Sequence, residues 1–409
     1  MANPQGSMIS RLIESFGSLG DDESVEQVKH YEGLVTEELG RVHDVYLVLW
    51  DGISNRPEPL VLFNQVEIRS ELLHHLKSKR LPALRRQVIS LSKLLTERSD
   101  LQNKPVSKLK LVLKNLSKLD DTLAKIKFAI ACINPTLEAE EVTHDKDFKR
   151  LKLFTCRRLA TRIYEVTEYV CDLLQTTRRF FTRSGHAFNN QPRKRRKVLK
   201  LTDSCSDAIE KTIGFMKASE LHHIQEDWRL NKEMMDDSLE KFLEYVNQAA
   251  APSGVESDGP GLSPATKSVM PLIKLSRMFL AQLLKLSSDK ENISMVTDLN
   301  TKELDLFRTM TVTMAECVKS ILYALSEDIG EDHLGVMLLN ESIKQLIHAP
   351  NLILLMVEHI FVPVVPATDH PSPKIRYKAW FYQWNQLHHL ATKHFLEDLG
   401  FLPRLPRPW

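Results

Sequence analysis

The chain has 409 residues, a formal net charge of +2 and 43% apolar residues. That length predicts two or three domains, at roughly 150 residues each. The near-zero net charge argues against a general affinity for nucleic acid, and 14 glycines are too few for the many tight turns of an all-β protein. Five scattered cysteines, an odd number, indicate free thiols and not a disulfide framework or a zinc site.

The first residues lack the long apolar core of a secretory signal, and no run of about 18 apolar residues occurs. We therefore expect an intracellular protein without a transmembrane segment, located in the nucleus, the cytoplasm or both. No phosphate-binding loop, nucleophile elbow or dinucleotide-binding motif is present. We expect a non-enzyme with no catalytic residue, no cofactor and no bound metal.

Residues 1–20 are expected to form a loose lead, followed by an N-terminal helical bundle over residues 21–183. Its first helix begins after Asp21 and Asp22, and helices are predicted over 60–79 and 82–97. The next two helices, opening at Pro105 and Asp145, each carry an apolar seam with alternating steps of three and four residues. The seam positions are Leu109, Val112, Leu116, Leu119, Leu123, Ile126, Ile130 and Ile133, and then Cys156, Leu159, Ile163, Val166, Val170 and Leu173. A short acidic linker joins the two helices, which predicts that they pack as an antiparallel pair.

Residues 184–202 contain Gly185, Asn189 and Pro192 and are interpreted as a basic linker. A C-terminal helical bundle is predicted over residues 203–400, with an internal linker at 250–264 and a tail at 401–409. Its later helices are expected over 268–287, 304–325, 333–348 and 351–362, and from Lys374 onward. The predicted fold is all-α, with two antiparallel up-and-down bundles of long helices.

A basic run stands in the predicted linker, after Pro192 and before Val198. It consists of Arg193, Lys194, Arg195, Arg196 and Lys197. An extended run of this kind resembles a nuclear import signal, which an acidic receptor groove reads one side chain at a time. A solvated basic loop and a phosphate-binding loop are the other two interpretations.

Charge is distributed unevenly along the chain. Residues 145–200 contain 16 Lys and Arg against 5 Asp and Glu, a net of +11, and residues 202–258 contain 5 against 13, a net of −8. Either the two segments neutralise each other as neighbours, or the basic one is offered to a partner. The candidate partner face consists of Arg157, Arg158, Arg162, Arg178, Arg179 and Arg183.

Two Glu-x-x-His pairs, Glu71 with His74 and Glu220 with His223, have the spacing found in carboxylate-bridged di-iron bundles. Such a site needs both pairs in the bundle interior, with further glutamates from other helices. A metal-dependent bundle enzyme is therefore the third-ranked interpretation of the chain.

The segment from Val269 to Arg277 is an apolar run with an embedded proline that follows an acidic linker, and it resembles a helix of the cyclin-D-interacting helical-bundle family. The following segment, from Asp298 to Leu325, is similar to that family's next helix in length and position. The resemblance covers about 60 residues, together with a plan of two all-α halves. It implies a non-catalytic regulator that binds cyclin D and transcription factors.

The leading hypothesis is a non-catalytic protein that acts through protein–protein interaction, as a nuclear regulator resembling cyclin-D-interacting proteins. Its expected partners are other proteins and, if the basic run is an import signal, a nuclear import receptor. The alternative is a cytoskeletal or membrane-proximal scaffold of the vinculin-like bundle type. Ser263 and Ser372 each precede a proline and are open as phosphorylation sites.

Overall fold

A computed structural model describes residues 24–47, 66–97, 104–134, 145–250, 264–289, 293–295, 299–326, 333–363 and 373–400. The predicted lead, the C-terminal tail, Ser263, Ser372 and nearly all of the linker at 250–264 lie outside these ranges. The described residues are overwhelmingly helical, which confirms the all-α prediction. In these ranges, no helix is both long enough and apolar enough to cross a membrane.

The chain divides into two compact units, Met1–Ala218 and Ser219–Trp409. We call them the N-terminal unit and the C-terminal unit. The predicted division, with a basic linker at 184–202 and the second bundle beginning at residue 203, is wrong. A single helix runs through residues 192–215, and it packs within the first unit.

The N-terminal unit contains six described α-helices. They are α1 (Val25–Leu47), α2 (Val66–His75), α3 (Leu81–Thr96), α4 (Pro105–Ile133), α5 (Leu153–Ser184) and α6 (Pro192–Phe215). A π-helical turn, Leu76–Arg80, joins α2 to α3, and 3₁₀ turns at Asp145–Leu151 and Gly185–Asn190 precede α5 and α6.

The sequence predicts two separate helices in the region of α2 and α3, the second of them beginning at Pro82. Instead, the helix continues through the proline, because the preceding turn widens to π geometry, in which the backbone N–H of Leu81 donates to Leu76 O. A proline has no N–H and collides with the carbonyl of the preceding turn, and the wider turn relieves that collision.

The helix predicted over 145–183 also begins differently. Its first residues form the 3₁₀ turn, Lys152 is extended with ψ of 142°, and α5 starts at Leu153. The carboxylate of Asp145 accepts a hydrogen bond from the backbone N–H of Leu153 at 2.9 Å. That bond satisfies one of the donors that the first turn of any helix leaves free.

Packing in the N-terminal unit follows a ring. α1 packs against α4 and α5, α3 packs against α4 and α6, and α5 packs against α6. The predicted pairing of α4 with α5 as neighbours is wrong, since the two helices barely touch. Their seams are nevertheless buried as predicted, with every seam position at most 2% exposed. Both seams face one shared core and not each other.

The C-terminal unit contains α7 (Glu220–Ala250), α8 (Pro264–Ser288), α9 (Thr301–Ser326), α10 (His333–Ile360) and α11 (Pro373–Asp398). The two helices predicted over 333–362 are one helix, which continues through Pro350. Pro271 likewise lies inside α8. Strands β1 (Ile293–Met295) and β2 (Phe361–Pro363) form one short antiparallel pair, with Ser294 opposite Val362.

In this unit α7 packs against α8 and α9, α9 packs against α10, and α8 packs against α11. The indole N–H of Trp384 on α11 donates to Leu275 O on α8 at 2.8 Å, and the Arg308 guanidinium on α9 lies 3.1 Å from the Asp227 carboxylate on α7. By contrast, α10 and α11 approach each other only loosely. A cleft remains between them.

Candidate functional site: a basic surface where α5 meets α6

The predicted import-like run is helical. Pro192 occupies the first position of α6, where its missing N–H costs nothing, and the five basic residues form the next one and a half turns. The hydrogen bond from the backbone N–H of Arg195 to Gln191 O, at 3.1 Å, closes the first turn. The expectation of an extended loop over these residues is therefore wrong.

Two members of the run are partly withdrawn from solvent. The Lys194 ammonium donates to Ser184 Oγ at 2.8 Å and lies 5.4 Å from the ring centre of Phe180 on α5. Arg195 is half-buried. Lys194 therefore fastens the start of α6 to the end of α5, and it is not available as a free cation.

The other three members of the run are exposed, and Lys200, which follows the run, extends the face that they form. Arg193, Arg196, Lys197 and Lys200 are exposed and stand at i, i+3, i+4 and i+7, which is one face of α6. Exposed arginines also lie on the last turns of α5, the helix that packs against α6. The six residues that form this basic surface are Arg179, Arg183, Arg193, Arg196, Lys197 and Lys200.

Within the part of the chain that the structure describes, the six cations of the basic surface are not paired with carboxylates, although Asp203 follows Lys200 by three residues on the exposed side of α6. Charges of the same sign that share a small surface repel one another, so the free protein carries an unfavourable interaction there. The positive end of the α6 dipole adds to it. An anionic partner would relieve both.

The candidate partner face on α5 does not hold together as one surface. Arg162 and Arg178 are 16 residues apart, which is roughly 24 Å along a helix at about 1.5 Å per residue. Between the two groups, the exposed side of α5 carries Glu165, Glu168 and Asp172. Only Arg179 and Arg183 belong to the basic surface.

The remaining arginines of that predicted face pack against nearby groups. The Arg158 guanidinium lies 5.4 Å from the ring centre of Phe154, and that of Arg162 lies 5.0 Å from the ring centre of Phe215. The first contact lies within α5, and the second joins α5 to the end of α6. Their position favours a structural role.

Arg178 lies against the backbone of α1. Its guanidinium occupies the space that a Cβ atom at Gly40 would need, which explains a glycine in the interior of a helix. Arg157, the sixth member, is exposed and has interactions of its own. The predicted six-arginine face is thus divided between structural contacts and the basic surface.

The acidic stretch that follows the basic run continues along α6. Asp203, Asp207 and Glu210 lie on the exposed side of its later turns. Glu210 is paired with Arg85 on α3 at 2.6 Å, and Arg85 also donates to Ser206 Oγ at 2.7 Å. Glu210 therefore binds an arginine of another helix, whereas Asp203 and Asp207 form no ion pair with the basic surface among the described residues.

The Glu-x-x-His pairs have different surroundings. Glu71 and His74 are both exposed on α2, on the outside of the unit, whereas His223 is buried at the start of α7. Within the described ranges no three His, Cys, Asp or Glu side chains lie together as a metal site would need.

Four thiols are shielded from reaction. Burial raises the pKa of Cys171 and Cys205 to about 12, and the pKa of Cys156 and Cys317 to about 11. A thiolate is the reactive form of cysteine, so these four are poor nucleophiles at neutral pH. All five cysteines are described and buried, and none of them forms a disulfide.

Sequence reasoning missed Lys200 and the helical state of the run. A signal was present, because Val198, Thr202, Cys205, Ile209 and Thr212 follow steps of four and three and are all buried. With Pro192 at the first position, that pattern predicts a helix that includes the basic residues and places Lys200 on the same face as Arg193.

Comparison with known families agrees with the division of the chain. Residues 69–217 match a domain of unknown function, DUF8723, and residues 219–397 match a second domain of unknown function, DUF8721. The border between the two matches coincides with the border between the two compact units. No curated protein and no solved structure matches the chain.

Proposed function

We propose that the protein is a non-catalytic interaction protein whose basic surface binds an acidic segment of a partner protein. The observation that carries this proposal is the set of six exposed cations on α5 and α6 without an internal carboxylate partner. Two rigid helices hold these cations at fixed spacing, so a complementary row of carboxylates loses little entropy on binding.

The arginines of the basic surface favour an acidic protein segment as the partner. Four of the six cations are arginines, and a guanidinium forms two parallel hydrogen bonds with one carboxylate, which gives orientation as well as attraction. The long-range field of the surface also accelerates encounter with an acidic partner, and that acceleration weakens as salt is added.

The regulatory part of the proposal comes from the resemblance to the cyclin-D-interacting family. It makes a D-type cyclin one partner to test, and it makes the nucleus one place where the protein acts. The scaffold alternative keeps the same surface but replaces the partner by actin filaments or by anionic lipid.

The test measures binding of the purified chain to a fluorescent glutamate-rich peptide, with a D-type cyclin, actin filaments and phosphatidylserine vesicles in parallel. The test variant replaces Arg193, Arg196, Lys197 and Lys200 by alanine. We expect the dissociation constant for the peptide to rise about tenfold or more, because several charge-assisted contacts are lost together.

The control variant removes the same number of exposed cations elsewhere, at Lys104, Lys114, Lys118 and Lys211. It should weaken binding less than about threefold, because distant surface charges are screened. Equal weakening by both variants would show that only net charge matters and would refute the proposal. Loss of vesicle or actin binding, with the peptide unaffected, would favour the scaffold alternative.

A further inference from the structure

A cleft of about 370 Å³ lies in the C-terminal unit, where α10 and α11 fail to close against each other. Its size is at the lower end of the range of about 300–1,000 Å³ that is typical of small-molecule sites. The cleft is lined by Leu286, Leu354, Val357, Glu358, Phe361, Tyr377, Lys378, Phe381, Tyr382 and Asn385. The basic surface belongs to the other unit, so the cleft is a separate feature.

The floor of the cleft is apolar and buried. Leu286 from the end of α8, Val357 from α10, Phe361 from β2 and Phe381 from α11 are each at most 7% exposed. Water held against such a floor makes few hydrogen bonds, and displacing it with an apolar group is favourable. The floor therefore selects for a ligand with an aliphatic or aromatic body.

The polar groups of the cleft are arranged along one side of α11. Lys378, Tyr382 and Asn385 stand at i, i+4 and i+7, which places an ammonium, a phenol and an amide in one row. All three can donate hydrogen bonds. The fourth lining group with a polar end, Tyr377, already donates to Asp289 at 2.7 Å.

One carboxylate faces this row of donors. Glu358 on α10 lies 2.9 Å from the Lys378 ammonium, and both side chains are about half exposed, at 54% and 52%. An exposed ion pair of this kind contributes only about 0–1 kcal/mol, so it opens readily. Glu358 thus occupies the position at which an acidic ligand group would meet Lys378.

We propose that this cleft binds a small monocarboxylate with an apolar body, of the medium-chain fatty acid type. The hydrocarbon lies on the floor, and the carboxylate replaces that of Glu358 on Lys378, with further hydrogen bonds from Tyr382 and Asn385. The excess of donors over acceptors is what selects an acid over an amine or a hydrocarbon.

The test is calorimetric titration of the full chain with decanoate and, separately, with decanol. We expect decanoate to bind at one site, and at least about tenfold more tightly than decanol, because a hydrogen bond to a charged group contributes about 1.5–3 kcal/mol. Lys378→Met should remove that preference. Glu358→Gln should tighten decanoate binding severalfold, since it removes the internal competitor.

The matched control is Lys393→Met, which removes an exposed lysine that pairs with Glu397 farther along the same helix. It should leave both affinities unchanged. Equal affinity for decanoate and decanol, an unchanged preference in the Lys378 variant, or no saturable binding would each overturn the proposal. A tighter complex in the Glu358 variant distinguishes carboxylate recognition from non-specific binding to an apolar surface.

Discussion

Glu32 on α1 accepts a hydrogen bond from the backbone N–H of His186 at 2.5 Å, and the same oxygen lies 2.7 Å from His186 Nδ1. Both groups are well shielded, with side-chain exposures of 20% and 26%. One carboxylate therefore anchors the turn between α5 and α6 to a third helix. The orientation of the basic surface depends on this turn.

Gly185 makes that contact possible. Its φ is +53°, a conformation that side chains disfavour, and a Cβ atom at this position would collide with the Glu32 carboxylate. We expect Gly185→Ala to destabilise the turn by about 1–3 kcal/mol and to speed hydrogen exchange in the start of α6. Exchange of peptides from α5 and α6, followed by mass spectrometry, measures the effect.

Gly214→Ala is the control for this substitution. Gly214 lies on the exposed side of α6, and a Cβ atom there meets nothing within 4 Å. Alanine is the better helix former by about 0.8–1.0 kcal/mol, so this variant should slow exchange locally or leave it unchanged. Faster exchange in both variants would contradict the role assigned to Gly185.

Arg69 is the second target, because its guanidinium is buried at 2% exposure. Its Nη2 donates to Ile133 O and to Leu151 O, at 3.0 Å each, and so joins the end of α4 to the turn before α5. Arg69→Met leaves both carbonyls without a donor. We expect the free energy of unfolding of the N-terminal unit to fall by about 2–5 kcal/mol.

Arg86→Met provides the comparison, since Arg86 is exposed on α3. Surface substitutions of this kind change stability by about 0.5 kcal/mol or less. Chemical denaturation followed by circular dichroism, with limited proteolysis to identify the unit that opens, separates the two variants. Similar stability of both would contradict the bridging role of Arg69.

His388 predicts a loss of stability in acid. It is buried and stacked on Trp384, with ring centres 4.8 Å apart, and burial, followed by the charge of His389, lowers its pKa to about 4. The unfolded chain takes up a proton near pH 6.5, whereas the folded chain does so only near pH 4. Stability should therefore fall as the pH drops from about 6.5 to 4, by about 3 kcal/mol in total, at about 1.36 kcal/mol per unit of pKa.

Urea unfolding at several pH values, followed by tryptophan fluorescence, measures this loss. Trp228, Trp380 and Trp384 lie in the C-terminal unit, and replacing Trp50 of the N-terminal unit by phenylalanine lets the signal report the C-terminal unit. His388→Phe should flatten the pH dependence, and His394→Gln, at an exposed position on the same helix, should leave it unchanged. An unaltered slope in the His388 variant would contradict the assignment.

Nuclear import gives a fourth prediction, because an import receptor reads an extended run and this run is helical. Val198, which follows it, is fully buried, so extension of the run would expose core. We expect residues 189–199, fused alone to a reporter, to direct more nuclear accumulation than the same residues in the folded chain. Pro192→Ala in the full chain is the control, since it keeps both the charges and the helix. Equal accumulation of the fused segment and the full chain would contradict this expectation.

The apolar seams of α4 and α5 were readable from the sequence, because the spacing of apolar residues fixes which side of a helix avoids water. The identity of the neighbour was not readable. A seam shows that one face of a helix is buried, but several other helices have apolar faces that could cover it. The packing of side chains from α1 and α3 decided which helices became neighbours in the ring. For this reason the inferred pairing of α4 with α5 failed while each seam was right.

The basic surface illustrates the same division. The sequence by itself determined the all-α class, the burial of the two apolar seams and the concentration of positive charge between residues 145 and 200. Only the tertiary structure decided which of those charges are free. Lys194, Arg162 and Arg178 each contact a group of another element, and no pattern in the sequence predicts these contacts. Charge is a property of each residue, whereas its availability to a partner depends on what the fold places beside it.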